Sequence, residues 1–122
     1  MPQLVEMDRH VSLFEQMEQR VGPVILINTF TVEPEEADRL QEAWASDAAF
    51  MKRQPGFIST QLHRGIGGSS VFFNYAVWES VEDFRRAFGS VEFQAKMQDY
   101  PPSTAASPHL VEKVAVRGIC VD

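Results

Sequence analysis

Val24-Ile25-Leu26-Ile27-Asn28-Thr29-Phe30-Thr31-Val32, introduced by Gly22-Pro23, is the stretch that decides the fold. It is almost wholly apolar and rich in β-branched residues, which marks a strand buried on both faces. Side chains alternate across a strand, so Val24, Leu26, Asn28, Phe30 and Val32 share one face. Asn28 is the strongly polar residue in its middle. A buried amide costs stability unless it is hydrogen-bonded, so Asn28 either bonds a neighbour or faces a pocket.

Downstream, Pro34 suits the first turn of a helix. Glu33, Glu35, Glu36 and Asp38 lie where the helix dipole favours anions, and Lys52 and Arg53 where it favours cations. Ala37, Leu40, Trp44, Ala48 and Met51 form its apolar stripe, and Pro55-Gly56 stops it. Phe57 to Arg64 reads as a second strand and Val71 to Glu79 as a third, joined by the Gly65–Ser70 hairpin connection. Ser80 with Asp83 has the form of a helix N-cap and its partner, with Val81, Phe84 and Phe88 facing inward and Gly89 closing the helix. Ser90 opens a second helical piece with Phe93 and Met97 on its apolar side. Asp99 to Pro108 reads as a mobile loop. His109 to Val121 reads as the final strand, with Gly118 at a bulge or end.

The order strand, helix, strand, strand, helix, strand predicts an α+β, ferredoxin-like βαββαβ domain over residues 23–122, with both helices on one face of an antiparallel sheet. Apolar residues on both faces of the strands call for a cover on the second face. Sheet-against-sheet pairing in a homodimer is the simplest one. Upstream, residues 1–22 read as an N-terminal arm. Its Val11–Met17 segment predicts a short amphipathic helix with Val11, Phe14 and Met17 on its apolar side.

The chain has 122 residues with 17 acids and 11 bases, a net charge of −6. Residues 1–50 hold ten of the acids and only three of the bases, and four of those acids sit at one helix start. An acidic chain without a basic block is a poor partner for nucleic acid or an anionic membrane. No apolar run is long enough to span a bilayer, and the first ten residues lack the apolar region of a signal peptide. A single Cys120 suits a reducing cytoplasm. His10, His63 and His109 show no metal-ligand spacing, so no metal is expected. The Gly65–Ser70 loop lacks the Lys-Ser/Thr of a phosphate-binding loop and precedes no helix. RNA-recognition domains share the predicted plan and carry strand aromatics comparable to Phe72, Phe73 and Tyr75. Here Ser69-Ser70-Val71 stands where a basic, Gly-aromatic series is required.

The run Pro23–Asn28, the turn Gln54-Pro55-Gly56-Phe57 and the strand end Val77-Trp78-Glu79-Ser80 resemble the antibiotic biosynthesis monooxygenase (ABM) family, over roughly Pro23 to Val116. The resemblance implies a dimeric α/β barrel. It also implies a cofactor-independent monooxygenase, acting with dioxygen and no cofactor on a small aromatic or quinol-like molecule. The family's phenol-oxidising members use an Asn and a Trp four residues apart on the third strand, and Asn74 and Trp78 match that spacing. Four residues in a strand put both side chains, with Phe72, on one face. Their N–H groups suit a developing oxyanion, and aromatic rings suit a flat substrate. Where those members carry a tyrosine, Phe84 stands here without the hydroxyl. Haem-degrading members share an Asn at the position of Asn28, but their Trp and His positions fall on Ala87 and Met97.

Asn28, Asn74 and Trp78 are therefore the candidate catalytic residues. Phe72, Phe84, Trp44 and His63 are candidates for substrate binding, His63 as a base near neutral pH. A non-catalytic, small-ligand-binding or stress-associated barrel is the alternative.

Overall fold

The computed structural model describes residues 2–120. Its elements run β1 (Gln3–Leu4), α1 (Leu13–Gln16), β2 (Val24–Thr31), a 3₁₀ turn (Pro34–Glu36) leading into α2 (Ala37–Met51), β3 (Phe57–Arg64), β4 (Val71–Trp78), α3 (Val81–Phe88), α4 (Val91–Met97) and β5 (Ala105–Val111). From β2 onward this is the ferredoxin-like α+β plan. One sheet holds all strands in the order β1-β5-β2-β4-β3. β2 lies at its centre, antiparallel to both β4 and β5.

The helices begin where their caps dictate. Ser80 accepts from the Asp83 N–H at 3.1 Å and Ser90 from the Phe93 N–H at 3.1 Å. Gly56 makes the turn into β3 at φ +87°, where a Cβ would collide with the Asp83 side chain. The helices cover the face carrying Leu26, Phe30, Ala76 and Trp78. Leu26, Trp78, Phe84, Phe88 and Phe93 pack as one apolar cluster, and Phe30, Leu40, Phe72 and Tyr100 as a second. Between the two clusters runs a row set by strand register: Pro108 opposite Asn28, Asn28 opposite Asn74, and Asn74 opposite Leu62.

Four expectations are corrected. The final strand spans Ala105–Val111, not His109 to Val121. Four of the ten residues read as a loop, 105–108, belong to the sheet. Pro108 disguises it, yet alternation along β5 turns the 106, 108 and 110 backbone groups outward, where no donor to β2 is required. Beyond β5 the chain leaves the sheet, and Val116 bridges Cys120 around Gly118 at φ +79°. Val121 lies outside the described residues.

The second correction concerns β3. Its register shifts between Phe57 and Ser59, so Ile58 is a bulge. Phe57, Thr60 and Leu62 thereby face the helices, whereas strict alternation aligns Phe57 with Ser59, Gln61 and His63. Third, the α2 stripe also includes buried Ala43 and Phe50.

The fourth concerns the arm. Ser12 caps α1 by a full capping box with Glu15, so the helix begins at Leu13 and Val11 lies outside it. Leu13 and Met17, four residues apart, enter the first core cluster, while Phe14 is 59 % exposed. The arm also supplies β1, parallel to the start of β5. Gln16 clamps β5 further along: its Nε2 donates to the Leu110 carbonyl at 2.8 Å and its Oε1 accepts from the Leu110 N–H at 2.9 Å. Gly22 then passes so close to the Glu79 carbonyl that a Cβ would clash with it.

Leu13→Ala is expected to destabilise the fold by about 2–5 kcal/mol in urea unfolding, the usual cost of emptying a buried leucine site. Phe14→Ala, one residue along, is expected to stay within about 0.5 kcal/mol of the parent chain. Equal losses at both positions would refute this account of the arm.

Candidate functional site

A cavity of about 50 Å³ lies between the helices and the middle of the sheet. β2 contributes Asn28, β3 Phe57 and Thr60, β4 Asn74 and Trp78, and β5 Pro108. Trp44, Asp47, Ala48 and Met51 of α2 form one wall, and Phe84 and Phe88 of α3 with Phe93 of α4 form another. Its lining is mainly aromatic and aliphatic, with a few convergent polar groups, as in small-molecule sites generally.

Trp78 is 1 % exposed. Phe57 meets it edge-on at 5.4 Å between ring centroids and 88° between planes, and Phe84 at 5.8 Å and 71°. Two edge-to-face contacts leave the indole little rotational freedom. Asn74 is fixed differently: the Thr60 hydroxyl donates to its Oδ1 at 2.6 Å. With Oδ1 engaged as acceptor, the Nδ2 group remains as the donor end of the amide.

Five buried side-chain nitrogen or oxygen atoms among the described residues have no hydrogen-bond partner. Three of them, Asn28 Oδ1, Asp47 Oδ1 and Trp78 Nε1, belong to residues lining this cavity. An unmade hydrogen bond of this kind costs about 1–3 kcal/mol. Three from three different elements converge on this one cavity, where a polar ligand or an ordered water would satisfy them.

Asp47 is the ionisable group of the cavity. The Tyr100 hydroxyl donates to its Oδ2 at 2.8 Å. Burial pushes its carboxyl up to about 6, against the opposing effects of the Tyr100 hydrogen bond and the Lys96 charge. The same burial, with the Asp47 charge and hydrogen bond beside it, raises Tyr100 well above the ordinary phenol range. Tyr100 itself is buried and stacks on Phe30 at 5.8 Å.

Five of the seven residues singled out in the sequence meet at this cavity: Asn28, Asn74, Trp78, Phe84 and Trp44. Two do not. Phe72 shares the face but is packed into the second core cluster, with the Arg64 guanidinium over its ring at 5.1 Å. His63 projects from the opposite face, where its Nδ1 lies 3.2 Å from the Phe73 carbonyl oxygen. The Ile58 bulge fixes which β3 residues face the helices, and it selects Thr60 over His63. Ala87 and Met97 are ordinary members of the first core cluster.

Sequence reasoning missed Asp47, Thr60 and Tyr100. Asp47 had a readable signal. It lies three residues after Trp44 and four before Met51, on the same helical side as both. Thr60 was hidden by the bulge, and Tyr100 by its place after α4.

The antibiotic biosynthesis monooxygenase family model matches residues 23–99. Deoxynogalonate monooxygenase of Streptomyces nogalater is 37 % identical over 70 residues, covering 57 % of this chain and 58 % of that relative. The match thus spans less than two thirds of the relative's length. The crystal structure of SnoaB, described as a cofactor-independent oxygenase from Streptomyces nogalater, is similar with a TM-score of 0.69 and 28 % identity, over 80 % of this chain and 99 % of that one. A protein of Shewanella loihica PV-4 is 31 % identical over the same shares of the two chains, with a TM-score of 0.65. The family match runs from Pro23, at the start of the central strand, past the end of α4, and it takes in every cavity-lining residue except Pro108; the chain belongs to the antibiotic biosynthesis monooxygenase family.

Proposed function

We propose that the chain is a cofactor-independent monooxygenase that places one atom of dioxygen on a small phenolic or quinol-like ring whose reacting edge enters this cavity. The observation that carries the reading is the meeting of Trp78 Nε1, the Asn74 amide and the unpartnered Asn28 Oδ1 inside an aromatic wall. The likeness to SnoaB supports it.

The chemistry requires a substrate that supplies all the electrons. A ring carbon bearing two hydrogens, as in the keto tautomer of a phenol, first loses a proton. The resulting anion spreads its charge onto the ring oxygen. The Trp78 and Asn74 N–H groups are suited to stabilise that oxygen, and the low polarity around them strengthens the effect. The anion gives one electron to dioxygen, and the radical and superoxide combine into a peroxide. The second hydrogen then leaves as a proton while the O–O bond breaks. A CH₂ group and O₂ have become a C=O group and one water. Asn28, opposite Asn74 in the sheet, offers an acceptor to a hydroxyl of the ring.

The face of the sheet away from the helices carries Ile25, Ile27, Phe73, Tyr75 and Val77, and Tyr75 is 38 % exposed. Ile25 is already buried within the chain and Ile27, Phe73 and Val77 are half-buried, and this apolar face around exposed Tyr75 supports a homodimer joined sheet to sheet.

Metal-free protein is expected to consume oxygen with a reduced naphthoquinol. Asn74→Ala and Trp78→Phe are each expected to lower kcat about a hundredfold, the usual loss for one oxyanion donor, with the circular dichroism spectrum unchanged. No uptake with any member of a panel of quinols and polycyclic phenols would sink the reading. Light scattering is expected to give twice the chain mass, and Tyr75→Glu to give a monomer. A monomeric parent protein at micromolar concentration rules the dimer out.

A further inference from the structure

We propose that Asp47 is the proton acceptor of the cavity and Tyr100 the residue that positions it. The proposal rests on the oxygenase reading for what happens after proton transfer, and on the structure alone for the transfer itself.

The two carboxylate oxygens of Asp47 are unequal. Oδ2 is engaged by the Tyr100 hydroxyl at 2.8 Å, which fixes the plane of the carboxylate. Oδ1 is buried and has no partner among the described residues, in a residue that lines the cavity. A carboxylate oxygen in that state accepts a proton or a hydrogen bond from whatever acidic hydrogen a ligand brings. Tyr100 is well suited to positioning. It is 4 % exposed, its ring lies flat against Phe30, and its raised phenol stays protonated, so it acts as a permanent donor.

The charged environment of Asp47 is sparse. Lys96 of α4 is the nearby cation, and its Nζ donates to the Ser46 hydroxyl at 2.9 Å. Tyr100 approaches from the segment after α4. The lining residues from the sheet and from α3 are all neutral, including Asn28, Thr60, Asn74 and Trp78. A proton taken up by Asp47 therefore neutralises the one carboxylate among the described residues that line the cavity. A substrate O–H or activated C–H bond breaks, its electron pair stays on the substrate, and its proton goes to Oδ1. The new anion is left facing the Trp78 and Asn74 donors rather than a second negative charge. A carboxyl held near pH 6 suits that task better than an ordinary aspartate, because it binds the proton more firmly while staying ionised at neutral pH.

Oxygen is not needed to test the transfer. Under nitrogen, calorimetry compares 1-naphthol with 1-methoxynaphthalene, which lacks the acidic proton. The parent protein at pH 7.5 is expected to prefer the naphthol by about tenfold or more, the usual strength of a hydrogen bond to a charged acceptor. That preference is expected to fall away as the pH drops through about 6. Asp47→Asn is expected to remove the pH dependence. Tyr100→Phe is expected to move its midpoint to higher pH, because the lost hydrogen bond favoured the ionised form; a purely structural tyrosine would not shift it.

Folding of the asparagine variant is checked by its melting temperature. The folded chain holds a proton on Asp47 between about pH 4 and 6 that the unfolded chain has already released, so the ionised carboxylate destabilises the fold above that window. Asp47→Asn is therefore expected to melt higher than the parent at pH 8 and to lose that advantage towards pH 4.

No preference for naphthol in the parent protein, or the same pH-dependent preference in Asp47→Asn, overturns the proposal. Naphthol binding as described without oxygen uptake from any quinol refutes the oxygenase reading and leaves Asp47 as proton acceptor. Oxygen uptake unchanged in Asp47→Asn refutes the role of Asp47 and leaves the oxygenase.

Discussion

Asn28 faces Asn74 across the two central strands, and that pairing constrains everything around it. Two amides on the buried face of a sheet need polar company that apolar neighbours cannot supply. The core consequently divides into two clusters, one on either side of this row. Neither amide tolerates relocation. Slipping β2 against β4 by one residue would turn Asn28 to the outer face and bring Ile25 and Ile27 against the helices. The register that buries the apolar side chains is thus the same register that assembles the site.

Stability and site geometry are supplied by different residues. The phenylalanines around Trp78 hold the indole by packing alone, and Thr60 and Tyr100 hold Asn74 and Asp47 by single hydrogen bonds. None of these contacts uses the atoms left open toward the cavity. The open atoms burden the fold, and the two flanking clusters offset that burden. In the proposed reaction, a site arranged in advance in this way would spend little on reorganisation as charge develops.

Much of this was legible in the amino-acid sequence, because local chemistry and the final fold agree there. Ser80 and Ser90 cap the helices they appear to cap, and the β-branched run from Val24 forms the central strand. The failures share a cause: each depends on a partner distant in the chain. Ile58 looks like any strand residue until the register against β4 reveals a bulge, and His63 changes face with it. Pro108 reads as a loop until its outward backbone position on β5 is known. Leu13 and Phe14 are equally apolar in sequence, and only the core beneath α1 chooses between them. Asp47 shares the helical side of Trp44 and Met51, but its hydrogen-bond partner Tyr100 lies 53 residues away and gave no sign of the pairing.

The arm's hold on β5 leaves that strand's outer edge without a free row of donors. Val5 donates to the Ala106 carbonyl, Pro108 has no N–H to offer, and the Gln16 amide takes both groups of Leu110. Gln16 and Leu110 are 94 residues apart in sequence, one of the longest spans closed by any hydrogen bond in the molecule. Closing so long a loop costs chain entropy, and the contacts that repay it exist only where β5 is in place. Without that docking Leu13 and Met17 would lose their places in the core. The arm precedes in the chain the strand whose edge it covers, and a strand edge left uncovered is a template for pairing with another chain.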